Sequence, residues 1–308
     1  MAERVLITGG SGFLGRNLYQ SKVLIGSQVL NVDLECPGWE SSDWSHVKGN
    51  VSDLGVISKI IVEFEPQIVI HLAANTDIRR SQIDPTLDFT NTLMTTFAVC
   101  EATRSIKPPI IIFSSSSAVY GDSRVGPDVN FERYTPISTY GQSKLISEYI
   151  IERYFNEGVF DKALIARFPN VVGRFMTHGL IYDLIQKYKT DPKNIEVLGD
   201  GQQHKPFILA STLMDQVLAT IKLPFSFKVV EYGPSDTASV AHIAEKLVEK
   251  LPTKPLLSFG TTHAGWPGDV VTYLIDPKKS YFRAVNENEM SSQEAINFAI
   301  DYAVQELL

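Results

Sequence analysis

Tyr140 and Lys144 stand one helical turn apart in the run Ser138-Thr139-Tyr140-Gly141-Gln142-Ser143-Lys144. On a helix, residues i and i+4 share a face, so the ammonium can sit beside the phenol. A phenol with an ordinary pKa of about 10 is a poor base near neutrality, and a fixed positive neighbour lowers that value. The pair therefore reads as a tuned acid/base. Upstream, Phe113-Ser114-Ser115-Ser116-Ser117-Ala118-Val119-Tyr120-Gly121 ends a strand-like run. A serine hydroxyl placed there can donate to, or accept from, a substrate oxygen while Tyr140 moves the proton. Neither signal is specific alone: such pairs commonly line a helix surface, and serine runs commonly form polar loops.

A third element gives the pair a partner. Thr8-Gly9-Gly10-Ser11-Gly12-Phe13-Leu14-Gly15 follows the first strand-like run and opens a helical one. Glycines at 9, 12 and 15 permit a tight turn, let backbone approach a pyrophosphate, and let helix pack on strand. The helix start supplies free N–H groups and positive potential for a diphosphate. Asp33, eighteen residues after Gly15, ends the second strand, where a carboxylate can accept from both ribose hydroxyls and repels a 2′-phosphate. That favours NAD over NADP.

These residues need a scaffold, and the first half supplies one. Apolar, β-branched runs at Val5–Thr8, Val29–Val32, Ile68–His71, Ile110–Ser114 and Ala163–Phe168 alternate with helical stretches. The helices are expected near Gly12–Ile25, Asp53–Phe64, Pro85–Ser105 and Thr139–Phe155. Alternation of this kind predicts an α/β fold, a doubly wound parallel sheet of the Rossmann type with both faces covered. After Phe168 the rhythm changes. Helices near Leu180–Tyr188, Ser211–Ile221, Ser239–Lys250 and Ser292–Leu307, with strands at Ile195–Leu198 and Lys228–Tyr232, predict a smaller C-terminal α/β lobe. The expected division is 1–168, with later segments returning to it, and 169–308.

The chain has 308 residues, 44% hydrophobic and 20% charged, with a formal charge of −7. This is an ordinary soluble composition with no basic footprint for nucleic acid. Cys36 and Cys100 are the only cysteines, so no disulfide framework or metal site is expected. Met1-Ala2-Glu3-Arg4 leads straight into Val5, leaving no room for a signal peptide, and no apolar run approaches membrane-spanning length. The expected location is the cytoplasm.

Taken together, the motifs resemble the extended short-chain dehydrogenase/reductase family, in particular its nucleotide-sugar epimerases and dehydratases, with UDP-glucose 4-epimerases as the nearest type. The resemblance runs through Thr8–Gly15, Gly49-Asn50-Val51, His71-Leu72-Ala73-Ala74, Asn91 and Ser114–Gly121. It continues through Tyr140/Lys144, Arg167-Phe168-Pro169-Asn170, Gly199-Asp200-Gly201 and Pro267-Gly268-Asp269. It implies that Ser116 is the catalytic serine, Tyr140 the acid/base, and Lys144 the residue that holds the nicotinamide ribose and lowers the phenol's pKa. It implies NAD contacts by Gly9, Gly12, Phe13, Leu14, Gly15, Asp33, Asn50, Val51, Leu72, Ala73, Ala74, Asn91, Ser114, Tyr140, Lys144 and Phe168. It implies a nucleotide-sugar held by Ser116, Asn170, Leu180 and Lys205, mainly in the C-terminal lobe. A homodimer through the helices Pro85–Ser105 and Thr139–Phe155 is implied in the same way.

Departures from the family pattern narrow the reaction. Dehydratases carry an Asp-Glu pair directly after the catalytic residue; here Ser117 and Ala118 stand there. Neither can protonate a leaving hydroxyl or abstract an α-proton, so that elimination is disfavoured. Lys205 replaces the usual diphosphate arginine, losing the bidentate fork, and Trp266 stands where a second arginine is common. Arg174, Arg79, Arg80 and Lys48 are candidate substitutes. The aspartate usual after Phe207 is replaced by Ala210-Ser211-Thr212. The expected activity is C4 epimerisation of an NDP-hexose through a transient 4-keto sugar. The alternatives are reduction of an NDP-4-keto sugar and, as a minor reading, a non-catalytic dinucleotide sensor.

Overall fold

The structure, a computed structural model, describes residues 3–21, 24–38, 44–121, 134–272 and 290–308. The described residues cluster into two compact units. The first comprises Met1–Ser116, Thr139–Arg167 and Met214–Val230, and the second Ser117–Ser138, Phe168–Leu213 and Glu231–Leu308. Residues 117–121 and 134–138, assigned from sequence to the first part, thus group with the second.

The first unit is built on β1 (Arg4–Thr8), β2 (Gln28–Asp33), β3 (Trp44–Lys48), β4 (Ile68–His71), β5 (Ile110–Ser114), β6 (Lys162–Arg167) and β11 (Phe227–Glu231). They form one sheet in the order β11-β6-β5-β4-β1-β2-β3. The pairs β1·β2, β2·β3, β1·β4, β4·β5 and β5·β6 are all parallel. From β1 the chain winds outward one way through β2 and β3, then the other way through β4, β5 and β6. The reversal opens a crevice between the carboxyl ends of β1 and β4, the place where open α/β sheets take ligands. Leu6, Val69, Ile111, Phe113 and Ile165 from the strands pack with Ile57 and Ile61 of α2 (Leu54–Phe64) and Ile151 of α6 (Thr139–Asn156). Strands buried on both faces must be apolar at successive positions, which explains the unbroken runs read from the sequence.

Asp53 caps α2 by accepting from the N–H groups of Gly55 and Val56 at 2.9 and 3.1 Å. α1 (Phe13–Ser21) starts at the glycine turn. Two features depart from expectation. β3 was not foreseen: Trp44-Ser45-His46-Val47-Lys48 is an edge strand, mostly exposed, and lacks a buried strand's continuous apolar run. The single helix expected over Pro85–Ser105 is instead α4 (Thr86–Asp88), a π-turn (Phe89–Leu93) and α5 (Met94–Thr103), preceded by the short α3 (Ile78–Ile83). The hydroxyls of Thr95 and Thr96 donate back to the carbonyls of Asn91 and Thr92, at 3.0 and 2.8 Å, across the wide turn. Back-bonding of this kind competes with regular helix pairing and bends it.

The second unit carries three two-stranded pairs: β10 (Phe207–Leu209) with β7 (Asn170–Val172), β12 (Ala238–Ser239) with β9 (His204–Lys205), and β13 (Leu256–Phe259) with β8 (Asn194–Val197). Around them pack α7 (Leu180–Thr190), α9 (Val240–Lys250) and α10 (Ser292–Leu307). α8 (Ala210–Ile221) carries the chain from the second unit back to the first. Ser291 and Glu294 cap α10 reciprocally, and Ser292 Oγ accepts from Phe207 N at 3.0 Å. Among the described residues no helix is long and apolar enough to cross a membrane.

Candidate active site

The first unit brings Ser116, Tyr140 and Lys144 together. β5 delivers the serines and α6 the other two. Lys144 Nζ donates to the Ser114 carbonyl at 2.7 Å, and Ser114 Oγ donates to the His71 carbonyl at 3.1 Å. Ser116 shares a hydrogen bond with the Tyr140 hydroxyl. Between them Ser115 is fully buried; its N–H donates to Ala166 O at 2.7 Å and its hydroxyl to Glu148 Oε1. Glu148 lies one turn past Lys144, so Tyr140, Lys144 and Glu148 occupy successive turns of one face of α6. Arg167, at the end of β6, grips Glu148 with two nitrogens, at 2.9 and 2.5 Å. A buried bidentate pair of this sort is expensive to break, so it pins helix to sheet beneath the reacting groups. Sequence reading gave Glu148 no place and Arg167 a place in the Arg167–Asn170 motif but no role. Their signal was the i+4 repeat beyond Lys144 and an arginine at the end of an otherwise apolar strand.

Burial is the largest influence on the charge states of both Tyr140 and Lys144. The Lys144 ammonium is turned to the Ser114 carbonyl and lies 5.7 Å from the Tyr140 ring centroid. Burial pushes Tyr140 up to about 12, the Ser116 hydrogen bond opposes that rise, and the charge of Asp88 adds to it. Burial also pulls Lys144 down to about 7, against Asp88 and Glu148, which favour the ammonium. Tyr140 thus rests as a neutral acid, and Lys144 titrates near physiological pH.

That depression sets a pH dependence. Between about pH 7 and 10.5 the unfolded lysine holds a proton that the folded one has released, so its contribution to stability rises with pH over that window. The stability difference between wild type and Lys144→Met should move in the wild type's favour by roughly 1–4 kcal/mol from pH 7 to pH 10. Denaturant melts of both proteins at the two pH values check it; parallel curves would contradict the assignment.

His71 is an internal strut. Its Nδ1 bonds Thr8 Oγ1 at 2.7 Å and its Nε2 bonds Thr96 Oγ1 at 3.1 Å. Burial, with Lys144 nearby, pushes it down to about 3, so it stays neutral at working pH and ties β1, β4 and α5 together.

The crevice at the reversal is formed by backbone. Gly9 has φ +74°, and a Cβ there would lie 2.6 Å from Ala73 N, so the glycine turn meets Leu72-Ala73 in direct contact. Leu72 N donates to Thr8 O at 3.0 Å, and Ala74 follows in the same loop. Asn31 Oδ1 accepts from Gly10 N at 2.8 Å, and Asp33 Oδ2 accepts from Ser11 N at 2.9 Å. Gly12 is exposed, its added Cβ meeting only Gly9 O at 3.3 Å, and Phe13 and Leu14 begin α1 directly behind it. An open glycine before a helix start, with a carboxylate at the end of β2, fits a dinucleotide pyrophosphate and ribose. Val51 is buried. Asn50 is exposed, but its carbonyl oxygen already accepts from Ser52 N and Oγ at 3.0 and 2.8 Å, leaving its NH₂ for a ligand. Asn91 lies in the π-turn.

Phe168, Asn170, Leu180 and Lys205 are carried by the second unit. Ser117 N donates to Phe168 O at 3.0 Å. Asn170 is exposed, with Nδ2 3.5 Å from Pro206 O. Leu180 opens α7 behind Gly179, which has φ +97° and provides no side-chain cap. Lys205 is held by Asp269 of the Pro-Gly-Asp element at 2.5 Å and lies 5.4 Å from the Trp266 ring centroid. The two departures from the family pattern therefore meet each other, a lysine–aspartate pair over an indole, and Lys205 is largely neutralised. Of the substitute cations, Arg174 pairs with Glu306 and Lys48 with Glu35, while Arg79 and Arg80 sit in α3.

Comparison with known proteins agrees with this geometry. The family model for the NAD dependent epimerase/dehydratase family matches residues 5–229. The chain is 27% identical to a UDP-glucose 4-epimerase of Mycolicibacterium smegmatis over 224 residues, covering 69% of this chain and 71% of the relative. A crystal structure of a UDP-galactose 4-epimerase superimposes with a TM-score of 0.85 at 28% identity, covering 99% of this chain and 100% of that one. An NAD dependent NDP-hexosamine 5,6-dehydratase of tunicamycin biosynthesis shares the fold, with a TM-score of 0.84 at 22% identity over 99% of this chain and 98% of that one.

Proposed function

The chain belongs to the NAD dependent epimerase/dehydratase family, and from that premise we propose that it is an NAD-dependent nucleotide-sugar epimerase acting at C4 of an NDP-hexose. The observation that carries this reading is the Ser116–Tyr140 hydrogen bond beside Lys144 at the carboxyl end of β5, with Ser117 and Ala118 following. Those groups can move one proton on and off a hydroxyl, and the two that follow cannot eliminate water. Bound NAD supplies the hydride acceptor and donor. Once its own proton has passed to solvent, Tyr140 as the tyrosinate would take the sugar hydroxyl proton as the carbon becomes a ketone, with Ser116 bonded to the same oxygen. With NAD bound, the hydride it would supply to the opposite face, together with the proton returned by Tyr140, would invert the centre with no net redox change. Gly9–Gly15 and Asp33 support binding of the diphosphate and ribose, and Leu72–Ala74 lines the crevice. For the sugar nucleotide, Asn170 and the uncapped start of α7 at Leu180 are the proposed contacts. Lys205 contributes less than an arginine would, because Asp269 shares its charge.

A panel of nucleotide sugars incubated in deuterated water and followed by NMR tests the reading. Interconversion of C4 epimers without deuterium uptake is expected. Deuterium at C3 or C5 would place the chemistry at a neighbouring carbon, and turnover confined to keto sugars with reduced cofactor would make the protein a reductase.

The same reading includes a cytoplasmic homodimer. Phe89 in the π-turn, Phe97 on α5, and Ile146 and Tyr149 on α6 are exposed large apolar side chains on neighbouring, packed elements of one unit. Four exposed large apolar side chains on packed neighbouring elements support an interface there. Light scattering should give twice the 34.3 kDa chain mass, and Phe97→Glu should give the monomer.

A further inference from the structure

Asn31 interrupts the buried apolar run Val29, Leu30 and Val32 of β2 and is itself only 1% exposed. A buried amide needs partners for its oxygen and for both amide hydrogens. The glycine turn supplies two of the three. Asn31 Oδ1 accepts from Gly10 N at 2.8 Å, and Nδ2 donates to Ser11 Oγ at 3.0 Å. A Cβ on Gly10 would lie 2.4 Å from Asn31 Oδ1, so turn and amide are in direct contact. Ser11 passes the link on, donating through Oγ to Glu35 O at 2.7 Å and through N to Asp33 Oδ2 at 2.9 Å. The third partner is His46, opposite Asn31 in the β2·β3 register, with Nδ1 3.2 Å from Asn31 Nδ2. A line of hydrogen bonds thus runs from an imidazole on the edge strand, through Asn31 and the turn, to the carboxylate proposed for the ribose.

The polarity of that line fixes a protonation state. Gly10 N can only donate, so Asn31 presents its oxygen to the turn and its NH₂ to His46. His46 must then accept at Nδ1 and carry its proton on Nε2. A charged imidazole would set N–H against N–H, and Asn31 cannot turn its oxygen to His46 without giving up Gly10. Burial lowers the His46 pKa, which favours the accepting form. Among the described residues, the other titratable and charged groups on this face of the sheet or at its end come from three elements. Arg16 and Tyr19 belong to α1: Arg16 Nε donates to Ser11 O at 3.0 Å, and Tyr19 meets Trp44, two residues from His46. Asp33 and Glu35 stand at the end of β2, and Lys48 of β3 pairs with Glu35 at 3.2 Å. Of these side-chain types only imidazole ordinarily changes charge between pH 5 and 8. We propose that Asn31 and His46 are positioning residues for NAD: neutral His46 holds Asn31, Asn31 holds the Gly10–Ser11 turn, and protonation of His46 loosens the turn and weakens the cofactor.

Calorimetric titration of the whole protein with NAD, from pH 5 to pH 8, tests this without any sugar. His46→Asn puts an amide oxygen where Nδ1 accepts and does not titrate, so it is the reference that cancels every other titrating group, Lys144 included. Wild-type affinity relative to this variant should be level at pH 8 and about tenfold lower at pH 5, the worth of one buried hydrogen bond. Asn31→Ala should bind NAD more weakly and lose the acid limb, because His46 no longer reaches the turn. Binding is reciprocal, so saturating NAD should move the His46 imidazole titration, followed by NMR and identified by its loss in His46→Asn, to lower pH. A diphosphate acting only through space would move it up. A parallel pH dependence in wild type and His46→Asn, an acid limb that persists in Asn31→Ala, or an upward NMR shift on adding NAD overturns the proposal. A merely structural role would lower the melting temperature of the variants and leave the affinity ratio flat with pH. The epimerase reading is decided separately, by the sugar panel, and its failure there would leave this result standing.

Discussion

Tyr140→Phe should melt and bind NAD like the wild type while losing about 10³-fold in turnover. In the proposed reaction the phenol hydroxyl takes and returns the sugar proton, and its hydrogen bond to Ser116, just past β5, supports that placement. Removing it leaves the ring, its packing and the Lys144–Ser114 link intact. Burial already favours the uncharged side chain, so the fold loses little. Turnover measured with the active nucleotide sugar, beside a melting curve and a cofactor titration, separates these effects. Retained turnover would remove Tyr140 from the mechanism. Ser116→Ala should cost less, because the hydroxyl orients and does not carry the proton.

The second large effect is expected at Gly15. A Cβ there would stand 2.2 Å from Gly10 O and 2.4 Å from Gly10 Cα. Both are backbone atoms of the turn, so no side chain can yield; α1 must move away from β1. Gly15→Ala should therefore destabilise the first unit by about 1–3 kcal/mol, the ordinary cost of overpacking. It should also weaken NAD at least tenfold, since the same displacement carries the helix start away from the pyrophosphate position. Gly12→Ala is the control: its Cβ meets only Gly9 O, at 3.3 Å, so stability should hold while cofactor affinity falls. Equal melting temperatures for Gly15→Ala and wild type would show that the close approach is not needed.

Both results depend on features of different legibility. The glycine spacing at 9, 12 and 15 could be read directly, because a tight strand-to-helix turn imposes local demands on backbone conformation and space. The i+4 relation of Tyr140 and Lys144 was local in the same sense. Buried strands are legible for a related reason: a sheet covered on both faces tolerates only apolar side chains along the run. β3, half exposed at the edge, carries no such constraint and left no pattern. The π-turn within 85–105 was hidden because helix propensity does not report how a wide turn is satisfied by Asp88, Thr92 and the crevice loop.

Sequence by itself determined the chemistry on offer: a glycine turn suited to a dinucleotide, a carboxylate at the end of the second strand, a serine, a tyrosine and a lysine in order, and no acid at the two positions directly after Ser116. These follow from residue types and short spacings, which chain geometry translates into local structure without long-range information. Tertiary structure alone decided the charge states. Whether Lys144 keeps its proton depends on burial and on charges, Asp88 from the distant α4 and Glu148 one turn along its own helix, whose effect is set only in the packed structure. Electrostatic energy in a desolvated site is set by distances through space, and those exist only once the chain is folded.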